Sequence, residues 1–264
     1  MKSKVSKVAI AIALLCTGAT FAQAQTAVAP AAAPAAAPAA EPTSPVAFNI
    51  GVVTDYRFRG ISQTRRKPAL QGGVDYTADS GLYLGFWFSS IKILKDIPGG
   101  EGPVELDFYG GYKGKVNDSL SYDIGLLRYQ YPKENFNPTV NTTELYGAVT
   151  YGPATVKYSH SLQKQTFGVA NSRGSGYLEA AATFDLGNGF SITPHIGHQR
   201  FRNDPTPSAS YTDYSLSLGK DLGNGLSVSA TAVGTNADDA FYVSPVNGRL
   251  LGKSSLVLGV KYTF

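Results

Sequence analysis

From Val46 onward apolar residues recur at every second position, the mark of strands that face two different environments. Phe48, Ile50, Val52, Thr54, Tyr56 and Phe58 share one face, and Asn49, Gly51, Asp55 and Arg57 the other. Leu70, Val74 and Tyr76 oppose Gln71 and Asp75, Leu82 to Phe88 repeat the period, and Leu106, Phe108 and Tyr112 oppose Glu105 and Asp107. A fifth strand carries Tyr122, Ile124 and Leu126, with its parity open after Leu127, where a bulge is an option. Leu145 and Val149 alternate with Glu144 and Tyr146, and Val156 and Tyr158 oppose Lys157. Leu178, Phe190, Tyr214 and Leu226 each start a further apolar row, and the final one is Leu256, Leu258, Val260, Tyr262, Phe264. The count comes to about twelve strands.

The connections alternate in length. Ala78–Gly81, Gly152-Pro153, Gly187-Asn188-Gly189 and Gly223-Asn224-Gly225 are short, and Asn-Gly pairs suit tight hairpins because both residues accept positive φ. Between them run long stretches, roughly 59–67, 89–103, 131–141, 162–175, 200–210 and 235–253. Short turns on one rim and long loops on the other describe an outer-membrane barrel, with the short turns in the periplasm. A soluble β-sandwich also fits sparse charge (16 %) with 29 Gly, 16 Tyr and 13 Phe. It gives no reason, however, for outward aromatics to collect at one end of the strands. Phe48, Tyr76, Tyr112, Tyr122, Tyr151, Phe184, Phe190, Tyr262 and Phe264 all fall at the short-turn end, as an interfacial girdle requires. The expected fold is therefore all-β: a transmembrane up-and-down antiparallel barrel over residues 47–264. Its last strand pairs with its first, because an open edge in hydrocarbon leaves backbone groups unpaired at several kcal/mol each.

The preceding residues read as an export address. Lys2, Lys4 and Lys7, the apolar Val8–Leu15 and Ala22-Gln23-Ala24 have the order of a cleaved signal peptide, 1–24. Cys16, the only cysteine, leaves with it, so the mature chain has no disulfide or thiolate chemistry. Losing three lysines takes the formal charge from +4 to +1, and nothing basic remains to suggest nucleic acid. Residues 25–46, an Ala/Pro run, form an extended linker or a docking tail.

Thr54-Asp55-Tyr56-Arg57-Phe58-Arg59-Gly60-Ile61-Ser62-Gln63 and Pro68–Tyr76 resemble the start of the TorF-family putative porins of proteobacteria. Glu105–Tyr112 and Thr143–Gly147 are similar to later blocks of that family. The resemblance implies an outer-membrane channel whose substrates are poorly defined, with no catalytic residues to transfer.

Parity places Asp55, Arg57, Asp75, Glu105, Asp107, Asp123, Glu144, Lys157, Glu179 and Asp213 inside, as lumen or pore-lining candidates. They describe either a polar conduit with a charged constriction or an interior tied shut by ion pairs. Arg59, Arg65, Arg66 and Lys67 are expected at a basic outer mouth, which could gather anions by field focusing, bind lipopolysaccharide phosphates or simply solvate the loop. Tyr262 and Phe264 resemble the recognition signal of the barrel-assembly machinery. The functional expectation is passive diffusion of small hydrophilic solutes, anions included, with lipid and lipopolysaccharide as surroundings and no cofactor or metal. The alternatives are a non-conducting structural or adhesive barrel and an outer-membrane lipid hydrolase. Against the last, His160 and Ser161 are adjacent on a strand and so point to opposite faces. Asp238-Asp239 is only a fragment of a Ca²⁺ site.

Overall fold

The computed structural model describes residues 44–97 and 99–264, so the expected signal peptide and most of the Ala/Pro linker lie outside the described residues. The wall is built from β1 (Val46–Val53), β4 (Ala69–Thr77), β5 (Leu82–Ser90), β6 (Val104–Lys115), β7 (Leu120–Gln130) and β8 (Thr142–Tyr151). It continues through β9 (Ala154–Ser161), β10 (Gly176–Ala182), β11 (Phe184–Gly187), β12 (Phe190–Arg200), β13 (Tyr211–Gly223), β14 (Leu226–Thr235) and β15 (Ser255–Thr263). Every wall neighbour is antiparallel and, apart from the closing pair, the next wall strand in sequence; both β10 and β11 lie along β12, so they count as one strand interrupted at Thr183. The sheet closes where β1 meets β15, with Ile50 opposite Tyr262 and Val52 opposite Val260. The result is a closed twelve-stranded up-and-down barrel. Its first strand begins at Val46, where the alternation starts.

The pleat sorts the side chains as the period-two pattern demands. Leu84, Ile124, Val149, Ile196, Leu216 and Leu258 are exposed on the outer wall, an apolar belt suited to hydrocarbon. At the short-turn end Phe48 stacks on Phe264 (5.7 Å between centroids), Phe264 on Tyr262 (5.5 Å), and Tyr112 lies 6.1 Å from Tyr122. The two Asn-Gly turns have both residues at positive φ: 52° and 76° at Asn188-Gly189, 51° and 79° at Asn224-Gly225. No bulge breaks the fifth strand: β7 keeps one register against both β6 and β8. Leu127 turns inward and is buried, because this barrel holds an apolar core inside its wall.

That core exists because the first long connection does not stay at the rim. After Val53 the chain bends into the lumen and forms a two-stranded hairpin, β2 (Arg57–Phe58) and β3 (Ile61–Ser62), separate from the wall sheet. The expectation that Tyr56 and Phe58 continue the outward face of β1 is corrected: they are 1 % and 8 % exposed, inside the barrel. Tyr56 packs edge-on against Trp87 at 5.5 Å, and Phe58 against Tyr129 at 5.3 Å.

Candidate functional site

The site is the lumen at the level of this hairpin. Its turn is Arg59-Gly60, with φ of 45° and 79°. A Cβ at Gly60 would lie 2.5 Å from Thr235 Cγ2 and 2.8 Å from Asp213 Cβ. Glycine is therefore required twice over, by conformation and by close approach to the wall.

The stem is held by charge and hydroxyls. Asp55 receives Arg57 Nε at 2.6 Å, Ser62 Oγ at 2.6 Å and Thr64 Oγ1 at 3.0 Å. Arg57 also donates to the carbonyls of Gly60 (2.8 Å) and Leu251 (2.9 Å) and to Ser255 Oγ (2.7 Å). Asp55 and Arg57 are thus inside the barrel, but on the hairpin rather than on the wall, and their charges answer each other. This suits a buried pair, which persists only when its remaining donors and acceptors are also met.

Arg59 crosses to the far wall. Its guanidinium donates Nη2 to Glu144 Oε2 at 2.7 Å, Nη1 to Glu144 Oε1 at 3.1 Å and Nη1 to Gln199 Oε1 at 2.5 Å. It lies 4.3 Å from the Tyr177 ring centroid and 4.9 Å from that of Phe58. The expectation of Arg59 at a basic outer mouth is corrected: its exposure is 0 %. A fork pairing with a carboxylate and stacking on rings offsets the desolvation that otherwise keeps arginine at a surface. Of the other three expected mouth cations, Arg65 pairs with the buried Asp96 and Arg66 Nη2 reaches the Ser254 carbonyl at 3.5 Å. Lys67 alone among them is fully exposed.

Other loops grip the hairpin from above. The amides of Lys92 and Ile93 donate to the Gln63 carbonyl (2.8 and 3.0 Å), and Asp96, at the end of a 3-10 turn Ile93–Asp96, accepts from Ser244 Oγ at 2.6 Å. Phe167 enters from the loop after β9, 5.2 Å from the Phe58 ring.

The remaining candidates lie on the inner wall. Glu105 accepts from Tyr56 OH at 2.8 Å, and Asp107 is buried two residues further along β6. Below the hairpin His195 stands between Glu179 (3.2 Å) and Asp213 (3.5 Å), and Asp213 accepts from Tyr177 OH at 2.8 Å. Asp123 accepts from Tyr83 OH at 2.6 Å, the Tyr83 and Tyr146 hydroxyls touch, and Lys157 Nζ sits 4.4 Å over the Tyr146 ring. Asp75 accepts from Tyr109 OH at 2.5 Å. Toward the short turns the lining becomes hydroxyl-rich, as in the Thr150–Thr155 and Thr183–Thr193 pairs. Sequence reasoning missed Tyr56, Phe58, Gly60, Gln199 and Tyr177 as site residues. The available signal was Arg59-Gly60, a turn dipeptide between two short apolar-polar pairs.

His160 and Ser161 diverge as adjacent strand residues must: Ser161 is buried inward, and His160 Nδ1 lies 3.3 Å from Tyr158 OH on the outer face.

Two solved structures share this architecture. The chain is similar to the structure described as KdgM porin in complex with disordered oligogalacturonate, at 8 % identity and a TM-score of 0.52. It is similar to a NanC porin structure at 11 % identity and a TM-score of 0.54. Each match covers 83 % of this chain and 98 % of the other. At such identity the likeness shows the fold. No curated protein matches the chain. Residues 39–264 match the family described as a bacterial protein of unknown function (Gcw_chp), and the chain belongs to that family.

Proposed function

We propose that this protein is an outer-membrane channel for passive diffusion of small hydrophilic solutes, closed in the conformation described here by its inner hairpin. The observation that carries the reading is the mismatch between wall and contents. A closed wall with an apolar outside needs no charged lining to be stable, yet its inside holds carboxylates, lysines and tyrosines. The obstruction is a hairpin fastened by side chains and loop amides rather than by pairing with the wall strands, so it can move without opening the barrel. The porins of like fold agree with this reading, as does the resemblance to the TorF-family porins. The apolar belt and the aromatic girdle support localisation in the outer membrane. Assembly through the barrel-assembly machinery, with Tyr262 and Phe264 as its signal, belongs to the same reading.

Planar-bilayer conductance of the purified, folded protein tests it. Unitary current steps are expected, and a salt gradient then gives the ion preference. The exposed Lys67 and Lys92 at the mouth favour anions, so a cation-selective reversal potential removes the anion preference and leaves the channel. A second reading, a non-conducting structural barrel, is favoured by the aromatic packing of Tyr56, Phe58, Trp87 and Tyr129 across the lumen. Absence of current steps at any voltage, in preparations with intact barrels, selects that reading. A lipid hydrolase is disfavoured by the opposed faces of His160 and Ser161.

A further inference from the structure

In its long-loop half, the outer wall carries charge on one side only. In that half, the outward positions of β13, β14, β15, β1, β4, β5 and β6 hold residues such as Tyr214, Ala232, Leu256, Val52, Leu70, Phe88 and Leu106, none of them charged. From β7 round to β12 the pattern changes. Leu126, Leu145, His160, Gly176 and Arg200 are register partners across five neighbouring strands and therefore share the outward face. One pair further toward the long loops, Arg128 stands opposite Thr143. His198 is outward and exposed on β12, and Arg202 follows on the loop.

Among the described residues no carboxylate pairs with Arg128, Arg200 or Arg202. Arg128 donates only to neutral acceptors, Gln130 Oε1 (3.1 Å from Nη2) and Thr143 Oγ1 (3.1 Å from Nη1). Arg200 and Arg202 are exposed, and the ion pairs seen among the described residues lie in the lumen or at Asp96. The acid of the adjoining loop, Asp204, is turned onto its own loop, accepting from Ser208 Oγ at 2.6 Å and the Ala209 amide at 2.8 Å. The end of the Tyr158 ring occupies the space over Gly176, between His160 and Arg200, where a Cβ would lie 2.5 Å from its hydroxyl, and Arg202 folds over Gly174 toward His160. The patch begins directly above the apolar belt: Leu126, Tyr158 and Ile196 lie two residues below Arg128, His160 and His198.

We propose that this face is a docking surface for lipopolysaccharide, with Arg128, Arg200 and Arg202 taking its phosphates and the apolar belt below taking its acyl chains. Arginine matches phosphate geometry with paired N–H donors, and at the edge of a low-dielectric layer such contacts are weakly screened. The width selects the source. From β7 to β12 is four inter-strand steps, about 19 Å at about 4.8 Å each. One phosphodiester headgroup covers a step or two, whereas a glycolipid carrying several phosphates and chains covers the whole arc. The assignment rests on the outer-membrane placement above, and it is independent of conduction.

The test is binding of purified lipopolysaccharide to the folded barrel in detergent. The proteins are wild type, Arg128→Gln/Arg200→Gln and a charge-matched control on the opposite rim, Lys115→Gln/Lys220→Gln. The rim variant is expected to bind at least about tenfold more weakly, the control within twofold of wild type. Enzymatically dephosphorylated lipopolysaccharide is expected to lose the same factor on wild type. If the glutamine variant fails to fold, Arg128→Lys/Arg200→Lys keeps the charge and is expected to bind within about threefold of wild type. Equal binding of native and dephosphorylated lipid by wild type overturns the proposal, as does equal loss in the two glutamine variants. Phosphatidylglycerol bound as tightly as lipopolysaccharide overturns the choice of lipid. A non-conducting protein that passes these tests keeps the lipid site and loses the channel.

Discussion

The clearest handle on the closed state is the Arg59–Glu144 pair. Both side chains are at most 1 % exposed, and they meet through two N–H···O bonds. Removing one partner of such a pair leaves an uncompensated buried charge and costs about 3–5 kcal/mol. Glu144→Gln lies at the lower end, because Arg59 keeps Gln199 and the Tyr177 ring. Arg59→Met preserves side-chain bulk but takes the guanidinium from the buried carboxylate, which keeps Tyr129 OH as a donor at 3.4 Å. At about 1.4 kcal/mol per tenfold, each single change raises the ratio of displaced to seated hairpin by about 100-fold or more. The double variant Arg59→Met/Glu144→Gln removes both charges of the pair and so recovers part of the loss. The expected order of open probability in planar bilayers is wild type lowest, the double next and the singles highest, with a coupling of about 2 kcal/mol or more. Barrel integrity is checked beforehand by heat-modified gel mobility. Additive effects, or single variants with wild-type conductance, refute the idea that this pair seats the hairpin.

Three further outcomes are expected. Gly60→Val forces a β-branched side chain to positive φ and into Thr235 and Asp213, so hairpin seating weakens by several kcal/mol while the wall strands keep their far-ultraviolet dichroism. Deleting Phe264 removes its stacking and both seam hydrogen bonds to Phe48 (2.8 and 3.0 Å), lowering the folded fraction recovered from membranes more than any single loop substitution; normal insertion sinks that role. At Asp204, partial burial pushes the carboxyl up, but bonds from Ser208, Ser210 and Ala209 outweigh it and hold the group below the usual carboxylate range. Its folded pKa is depressed, so its contribution is complete above the ordinary carboxylate pKa and fades as pH falls through the lowered value. Hydrogen exchange at the Ala209 and Ser210 amides should therefore lose protection only in strong acid, and protection lost already between pH 6 and 5 contradicts this.

The wall was legible because its physics is local. A strand between lipid and lumen alternates by necessity, and Asn188-Gly189 and Asn224-Gly225 announce their turns by chemistry alone. The hairpin was not legible, for the opposite reason. Tyr56 and Phe58 continue the outward phase of β1 in sequence, and nothing local says that the chain has left the wall at Val53. Both strands of the hairpin are buried on every side, so periodicity carries no information there. Arg59 reads as a solvated loop cation until its partner Glu144, 85 residues away, is placed opposite it. Leu127 looked like a parity fault for the same cause: an inward leucine makes sense only once Phe58 and Tyr129 supply apolar company.

The closing seam has a consequence for the order of assembly. The strand that seals the wall, β15, comes after every other strand in the chain, and it joins β1, the strand from which the hairpin directly hangs. The obstruction is thus tethered at the lip of the sheet that stays open longest. Before sealing, residues 54–68 can swing into the half-formed trough sideways; afterwards their route in is through the mouth, past the loops that carry Ile93, Phe167 and Leu251. Arg57 registers the moment, since its bonds to the Leu251 carbonyl and Ser255 Oγ can form only when the last strand has arrived. Filling the lumen and sealing the wall are in this sense one event, timed by the same few residues.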